Sequence, residues 1–199
     1  MAVKTTLLEP VAANGTVTLG ASGDTISIPS GVTLANSGTA TGFGGGTNTP
    51  AFSAKLGSNL TMNSASTVYD VVFNTELFDV GSCYNASNGI FTVPSGEGGK
   101  YFFSTSCMFS DSGGTLSDFL IYMHSTIGGS ANQDLVARAQ STSDGALFTQ
   151  RELAYTTVLT LSAGDAIKIQ VYQQTNNNAT ILLKGGGRNT VFSGFKIIE

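Results

Sequence analysis

The segment 84-YNASNGIFTVPSGEGGKYFFSTS-106 decides the fold. It holds two aromatic-rich apolar runs separated by a proline and a Gly/Ser-rich stretch. In the second run Tyr101, Phe103 and Thr105 fall at every second position, and the series continues through Cys107 and Phe109. Successive side chains of a strand point to opposite faces, so these five residues share one face. "PSGEGG", residues 94–99, supplies the connection, and its glycines can take positive φ. The expectation is two consecutive strands of one sheet joined by a pliant turn.

The pattern extends outward from this segment. About eight to ten strand candidates follow Ala51, among them "TVYDVVFN", "DFLIYMHS", "RELAYTTVLTL" and "NTVFSGFKII". In "AIKIQVYQ", Ile167, Ile169 and Val171 face one way, and Lys168, Gln170 and Tyr172 the other. Composition agrees. Of the 199 residues only 11% are charged, against an average near 25%. Helix surfaces draw on Glu, Lys and Arg, whereas Thr, Val, Ile, Phe and Tyr favour strands. The chain reads as all-β, a sandwich or jelly roll.

Residues 1–46 differ from the rest. "NGTVTLGASGDTISIPSGVTLANSGTATGFGGG" is almost free of charge and aromatics, with short β pieces "TVTL", "DTISIP" and "GVTL" between Gly, Ser and Asn turns. Such pieces cannot bury a core alone and become stable when packed on copies of themselves or on a larger assembly. Residues 47–50 read as a linker and 51–199 as a head, with the head expected to fold without the leading segment.

Several function classes are excluded. A net charge of −4 with nine scattered Lys and Arg residues offers no basic face for nucleic acid. No run reaches the roughly 18 apolar residues of a membrane span, so no membrane insertion is expected. "MAVKTTLLEPVAANG" reads as no secretory signal, because Glu9 and Pro10 break its apolar stretch. The Asn-x-Ser/Thr triplets at Asn14, Asn59, Asn85 and Asn178 are therefore read as incidental.

No chemistry is assembled by the motifs. The one histidine, His124, lacks a serine elbow beside it in sequence, and the His and Cys inventory is too small for zinc. "GFGGGTN" and "KGGGRN" lack the Lys-Ser/Thr ending of a phosphate loop. Among Glu76, Asp79, Asp111, Asp118, Asp144 and Glu152 no spacing selects a catalytic pair. No catalytic residue, cofactor or metal is expected. Cys83 and Cys107 read as buried reduced thiols, a disulfide being the alternative.

The aromatic spacing carries a resemblance. Phe73, Asp79, Tyr84 and Phe91 follow at intervals of six, five and seven residues, and Gly99, Tyr101 and Phe103 come next as "GKYFF". This resembles the signature of the globular head of complement component one, subunit q, a relative of the tumour necrosis factor jelly roll. "AFSA" (51–54) matches that family's opening strand, "LTLSAGDAIKIQV" (159–171) its penultimate hairpin and "VFSGFKI" (191–197) its closing strand. Two features depart from the pattern. The gap from Phe91 to Gly99 is two residues longer than the family's, and Thr105 stands where the family has an aromatic.

The resemblance implies a ten-stranded TNF-like jelly roll, assembled as a homotrimer, that binds rather than catalyses. It implies that aromatics of the inner sheet pack along the three-fold axis, with Phe73, Tyr101, Phe103 and Phe195 as the expected set. Residues 1–46 resemble the neutral Thr-, Ser- and Gly-rich segments of bacteriophage fibre and spike proteins. Together these imply a virion fibre. Residues 1–46 would contact other virion proteins, and the head would meet a host receptor or glycan at the virion surface. Capsid decoration and a secreted, complement-type binding module are the alternatives. Recognition is expected on polar loops at the end away from Ala51, through Asp111, Ser112, Asp144, Asn176, Asn177, Asn178 and Arg188.

Overall fold

The computed structural model describes residues 16–18, 20–33, 35, 37, 48–111, 116–140, 150–175 and 180–197. The chain divides into two units, residues 1–45 and 46–199. The described residues of the first unit hold turns, such as the one closed by Asp24 N–H donating to Ala21 O, but no strand. Of the β pieces expected over 16–19, 24–29 and 31–34, the described residues form none, and residues 19 and 34 lie outside the described ones. Ile26, Ile28 and Val32 stay exposed. A strand needs a ladder partner, and these short runs have none among the described residues.

The second unit is all β. Its strands are β1 (Ala51–Lys55), β2 (Leu60–Met62), β3 (Thr67–Asp70), β4 (Thr75–Val80), β5 (Tyr84–Asn85), β6 (Ile90–Thr92), β7 (Gly99–Asp111), β8 (Leu116–Ile127), β9 (Ser130–Gln140), β10 (Gln150–Leu161), β11 (Ala166–Thr175), β12 (Ile181–Leu183) and β13 (Val191–Lys196). They build one seven-stranded and one six-stranded sheet. In the first, β7 carries β10 along one edge and β12 and β13 end to end along the other. β2 pairs with β12, β1 with β13, and β4 with the far edge of β1. In the second, β11 carries β8 on one edge and β3 and β6 on the other, with β9 beyond β8 and β5 beyond β6.

Two sequence expectations are corrected here. β6 and β7, the two aromatic runs of the opening segment, are not neighbours in one sheet: β6 belongs to the six-stranded sheet and β7 to the seven-stranded one. "PSGEGG" therefore crosses the sandwich, a span of about 10 Å that a two-residue hairpin turn could not make. Phe91 from β6 and Phe103 from β7 meet across that gap, ring centroids 5.0 Å apart. The second correction is the strand count, thirteen among the described residues rather than ten. The closing strand expected over 191–197 is β13, and the short β12 forms within the stretch 175–189, separated from β13 by residues 184–190.

The core lies between the sheets. Phe52, Phe73, Phe91, Tyr101, Phe103, Phe109 and Phe192 are fully buried, and the inward residues of β11 (Ile167, Ile169, Val171) face them. Each such side chain contributes about 1.5–3 kcal/mol by leaving water. Gly194 makes room for them. A Cβ there would lie 2.6 Å from one Phe103 ring carbon and 2.9 Å from a Phe52 ring carbon. The glycine of "VFSGFKI" is thus a packing requirement.

Candidate functional site

The signature residues converge. Phe52 stacks on Tyr84 with centroids 4.8 Å apart and on Phe91 at 5.3 Å, and Phe91 meets Tyr101 edge-on at 5.4 Å. The Tyr84 hydroxyl donates to the Phe73 carbonyl at 3.1 Å, which ties β5 to the segment before β4. Asp79 does not face a ligand. Its carboxylate accepts from the Cys83 N–H at 3.0 Å and the Tyr84 N–H at 3.2 Å, closing the turn in which Gly81 and Ser82 take positive φ. Gly99 begins β7 with φ +149°, a conformation that glycine takes readily.

Burial pushes the thiol of Cys107 up to about 12, and that of Cys83 higher still, with the nearby Asp79 carboxylate adding to the rise. Both are free and buried, so the thiol reading holds and the two form no disulfide.

The expected axial aromatic set divides. Phe73, Tyr101 and Phe103 are fully buried inside the sandwich of a single chain, so they are core residues and not available to contact another copy. The sandwich hides them because both sheets contribute rings to one layer, which strand alternation within a single sheet does not reveal. Phe195 alone faces outward, its ring 5.2 Å from that of Phe102.

Register places a row of apolar residues on this outward face. Val158, Phe102, Phe195, Ala51 and Val80 lie side by side across β10, β7, β13, β1 and β4. The next row runs Thr156, Ser104, Ser193, Ser53 and Phe78, with the Ser53 and Ser193 hydroxyls hydrogen-bonded at 2.8 Å. Val158 and Phe78 are each 51% exposed and Val80 47%, so three large apolar side chains end on water in a single chain. The signal for this face was present in the sequence as the opposite parity to Tyr101 and Phe103.

The outward face of the six-stranded sheet is different in kind. Tyr122, Tyr172, Gln170, Gln133, Lys168 and Asp70 lie there, as does the Arg138–Asp118 pair. Arg138 Nε donates to Asp118 Oδ1 at 2.9 Å, with a second bond from Nη2 to Oδ2. That carboxylate bond raises the guanidinium's already high value further.

The loop set is only partly described. The side chain of Asp111, and Ser112, Asp144, Asn176, Asn177 and Asn178 altogether, lie outside the described residues. The flanking strand ends are informative. Asp111 pairs with Ile181, Ser110 with Gln150, and Asp118 with Gln140, whereas Ala51 pairs with Phe195 next to the start of β7. The chain thus enters and leaves the second unit at the end opposite Asp111. Arg188 is exposed and lies in the 184–190 excursion, which leaves β7 opposite Cys107 and Met108, nearer to Asp111 than to Gly99. The stretch 175–189 looked like one long loop because β12 is only three residues long.

Among the described residues, no three His, Cys, Asp or Glu side chains come together as a metal site would require.

Two curled antiparallel sheets with the first and last strands paired, an aromatic core and outward faces of contrasting character define a C1q/TNF-like jelly roll, the fold of a binding module. The chain belongs to the C1q domain family, whose model matches residues 51–197. The solved globular domain of zebrafish complement 1qA protein is similar at 20% identity and TM-score 0.50, over 75% of this chain and 98% of that one. Eiger TNF from S. frugiperda is similar at 14% identity and TM-score 0.54, over 75% and 92%. Murine APRIL is similar at 16% identity and TM-score 0.51, over 74% and 98%. No curated protein matches the chain.

Proposed function

We propose that the chain is a homotrimeric fibre or spike protein of a virion, whose jelly-roll head recognises a receptor or glycan on a host surface. The observation that carries the assembly is the outward face of the seven-stranded sheet, where Val158, Phe102, Phe195 and Val80 form one row and Phe78 stands beside it. A soluble protein leaves few such rows open, and burying one against copies of itself is the usual remedy. A closed ring of three protomers satisfies the face without leaving an open edge.

Support for the particle comes from the leading segment. Ile26, Ile28 and Val32 are exposed in a region almost without charge, which suits packing against other virion proteins or other copies. The protein would be made in the host cytoplasm and end on the virion surface. The family's character supports binding without catalysis. A capsid-decorating role uses the same trimer without a receptor. The likeness to the complement 1qA head favours a second reading, a secreted complement-type binding module.

Light scattering of the purified chain tests the assembly: a mass of three protomers is expected, and a stable monomer refutes it. Sedimentation of purified particles with an antibody to the head tests the placement. Co-sedimentation is expected, and detection only in the particle-free medium of producing cells selects the secreted reading.

A further inference from the structure

We propose that the outward face of the six-stranded sheet is a binding surface for a neutral oligosaccharide. This rests on the reading of the head as a recognition module and names both the surface and the ligand class.

The placement follows from register. Tyr122 on β8 lies opposite Gln170 on β11, and Tyr172 stands two residues further along β11. The two rings are therefore diagonal neighbours on one face, about 7–8 Å apart at the backbone. Tyrosine offers a rigid apolar ring face and a polar tip at low entropic cost, which suits the mixed surface of a sugar. Two rings so placed can each carry one sugar of a chain.

Around them runs a preorganised polar strip. Gln133 Nε2 donates to Gln170 Oε1 at 2.5 Å, Gln170 Nε2 donates to Asp70 Oδ1 at 2.6 Å, and Lys168 Nζ donates to Asp70 Oδ2 at 3.0 Å. The strip spans β9, β11 and β3 across the top of β8. Each amide has two N–H donors and a two-lone-pair oxygen, so these bonds leave both donors and acceptors directed to solvent. Sugar hydroxyls need both.

The charges on the face point to a neutral ligand. Lys168 is paired with Asp70 and Arg138 with Asp118, so cation and anion alternate without a patch of either sign. A sialylated, sulfated or phosphorylated ligand calls for an unopposed cationic cluster, which these pairs do not supply. The strip ends at a depression of about 180 Å³ beside Ile90, His124 and Thr126, wide enough to hold part of a further sugar. The opposite sheet carries the apolar face assigned to trimer contact, so this one remains open in the assembly.

The test uses labelled full-length protein on an array of neutral (galactose-, glucose-, mannose- and N-acetylglucosamine-terminated) and acidic oligosaccharides, with host-cell adsorption measured alongside. Binding to neutral glycans is expected. Tyr122→Ala with Tyr172→Ala should weaken it about tenfold, the scale of two lost aromatic contacts. The double Tyr→Phe variant should stay within about threefold of wild type, because the rings remain. Both are compared at unchanged trimer mass and melting. Should the alanine pair disturb the fold, Gln133→Ala, an exposed change at the end of the strip, is expected to weaken binding by itself.

Wild-type strength in the well-folded alanine variant and in Gln133→Ala overturns the proposal, as does binding confined to acidic glycans. Adsorption to cells with no glycan bound overturns it while leaving the recognition reading intact. Neither adsorption nor glycan binding removes both.

Discussion

The two outward faces of the head are built from the same element, an antiparallel sheet over a shared core, yet they present opposite chemistry. On the seven-stranded sheet the outward positions carry the apolar row of Val158, Phe102, Phe195, Ala51 and Val80 with Phe78 beside it, flanked by Thr and Ser and, further along the strands, by Lys100 and Glu152. The Ser53 and Ser193 hydroxyls of the neighbouring row bond each other. On the six-stranded sheet Tyr, Gln, Arg, Lys, His and Asp predominate, with Leu120 and the exposed Val68 beside Tyr172. Gln133, Gln170, Lys168 and Asp70 link in a strip that still offers donors and acceptors to solvent. A face that meets an identical copy can rely on area excluded from water, whereas a face that stays wet must bond something that competes with water. The difference in composition, on one scaffold, is what the proposed assembly surface and the proposed recognition surface rest on.

The largest effect comes from removing what both faces rest on. Phe103 from one sheet meets Phe91 from the other, and Phe103→Ala should cost about 3–5 kcal/mol. Urea unfolding measures it, and trimer formation and any glycan binding should fall together. A variant that kept one of the two would show that the sheets do not depend on a common core.

Next in size is a direct attack on the apolar face. Phe78→Asp with Val158→Asp places carboxylates in a surface that would be buried between copies, and folded monomers are expected by sedimentation velocity. The matching change on the other face, Gln170→Asp, should leave the trimer whole. If both dissociate it, or neither does, the assignment of the faces is wrong. Smaller again is Gly194→Ala, which forces a methyl group against the Phe103 and Phe52 rings. Overpacking of this kind costs about 1–3 kcal/mol, read as a lowered denaturation midpoint.

The sequence made the two faces unequally legible. Strand alternation correctly paired Tyr101 with Phe103, Thr105, Cys107 and Phe109, and Ile167 with Ile169 and Val171, and all are buried. It could not say that Phe91 and Phe103 come from opposite sheets, because period two fixes a face within a strand and not which sheet the strand joins. That gap made the buried rings look like an intersubunit cluster, while Phe102, of opposite parity, was the residue on the outside. Tyr172 was legible as facing away from the core, but its neighbour Tyr122 depends on the β8–β11 register, which is set at long range. β12 was not legible within 175–189, because three residues give too short a signal to split a loop.

The smallest expected effect probes the polar strip through pH. Burial pushes the Asp70 carboxyl up, but hydrogen bonds from Gln170 and Lys168 and the charges of Lys168 and His124 outweigh it, so its value in the folded chain lies below the ordinary one. A carboxylate lowered by folding stabilises the native state at pH above its unfolded value of about 3.9, and that contribution is lost as pH falls through the folded value. Asp70→Asn should therefore lower stability near neutral pH and converge with wild type as pH falls through the folded value, where the native carboxylate is itself protonated. The site is largely exposed and screened, so the neutral-pH difference should stay below about 1 kcal/mol. Paired urea titrations across pH measure it, and trimer mass should not change in the same series. A loss of trimer would mean that Asp70 supports the apolar face as well, and the separation of the two surfaces would fail at its most exposed point. A difference that instead grew as pH fell would reverse the sign of the argument and place Asp70 outside a charge-stabilised network.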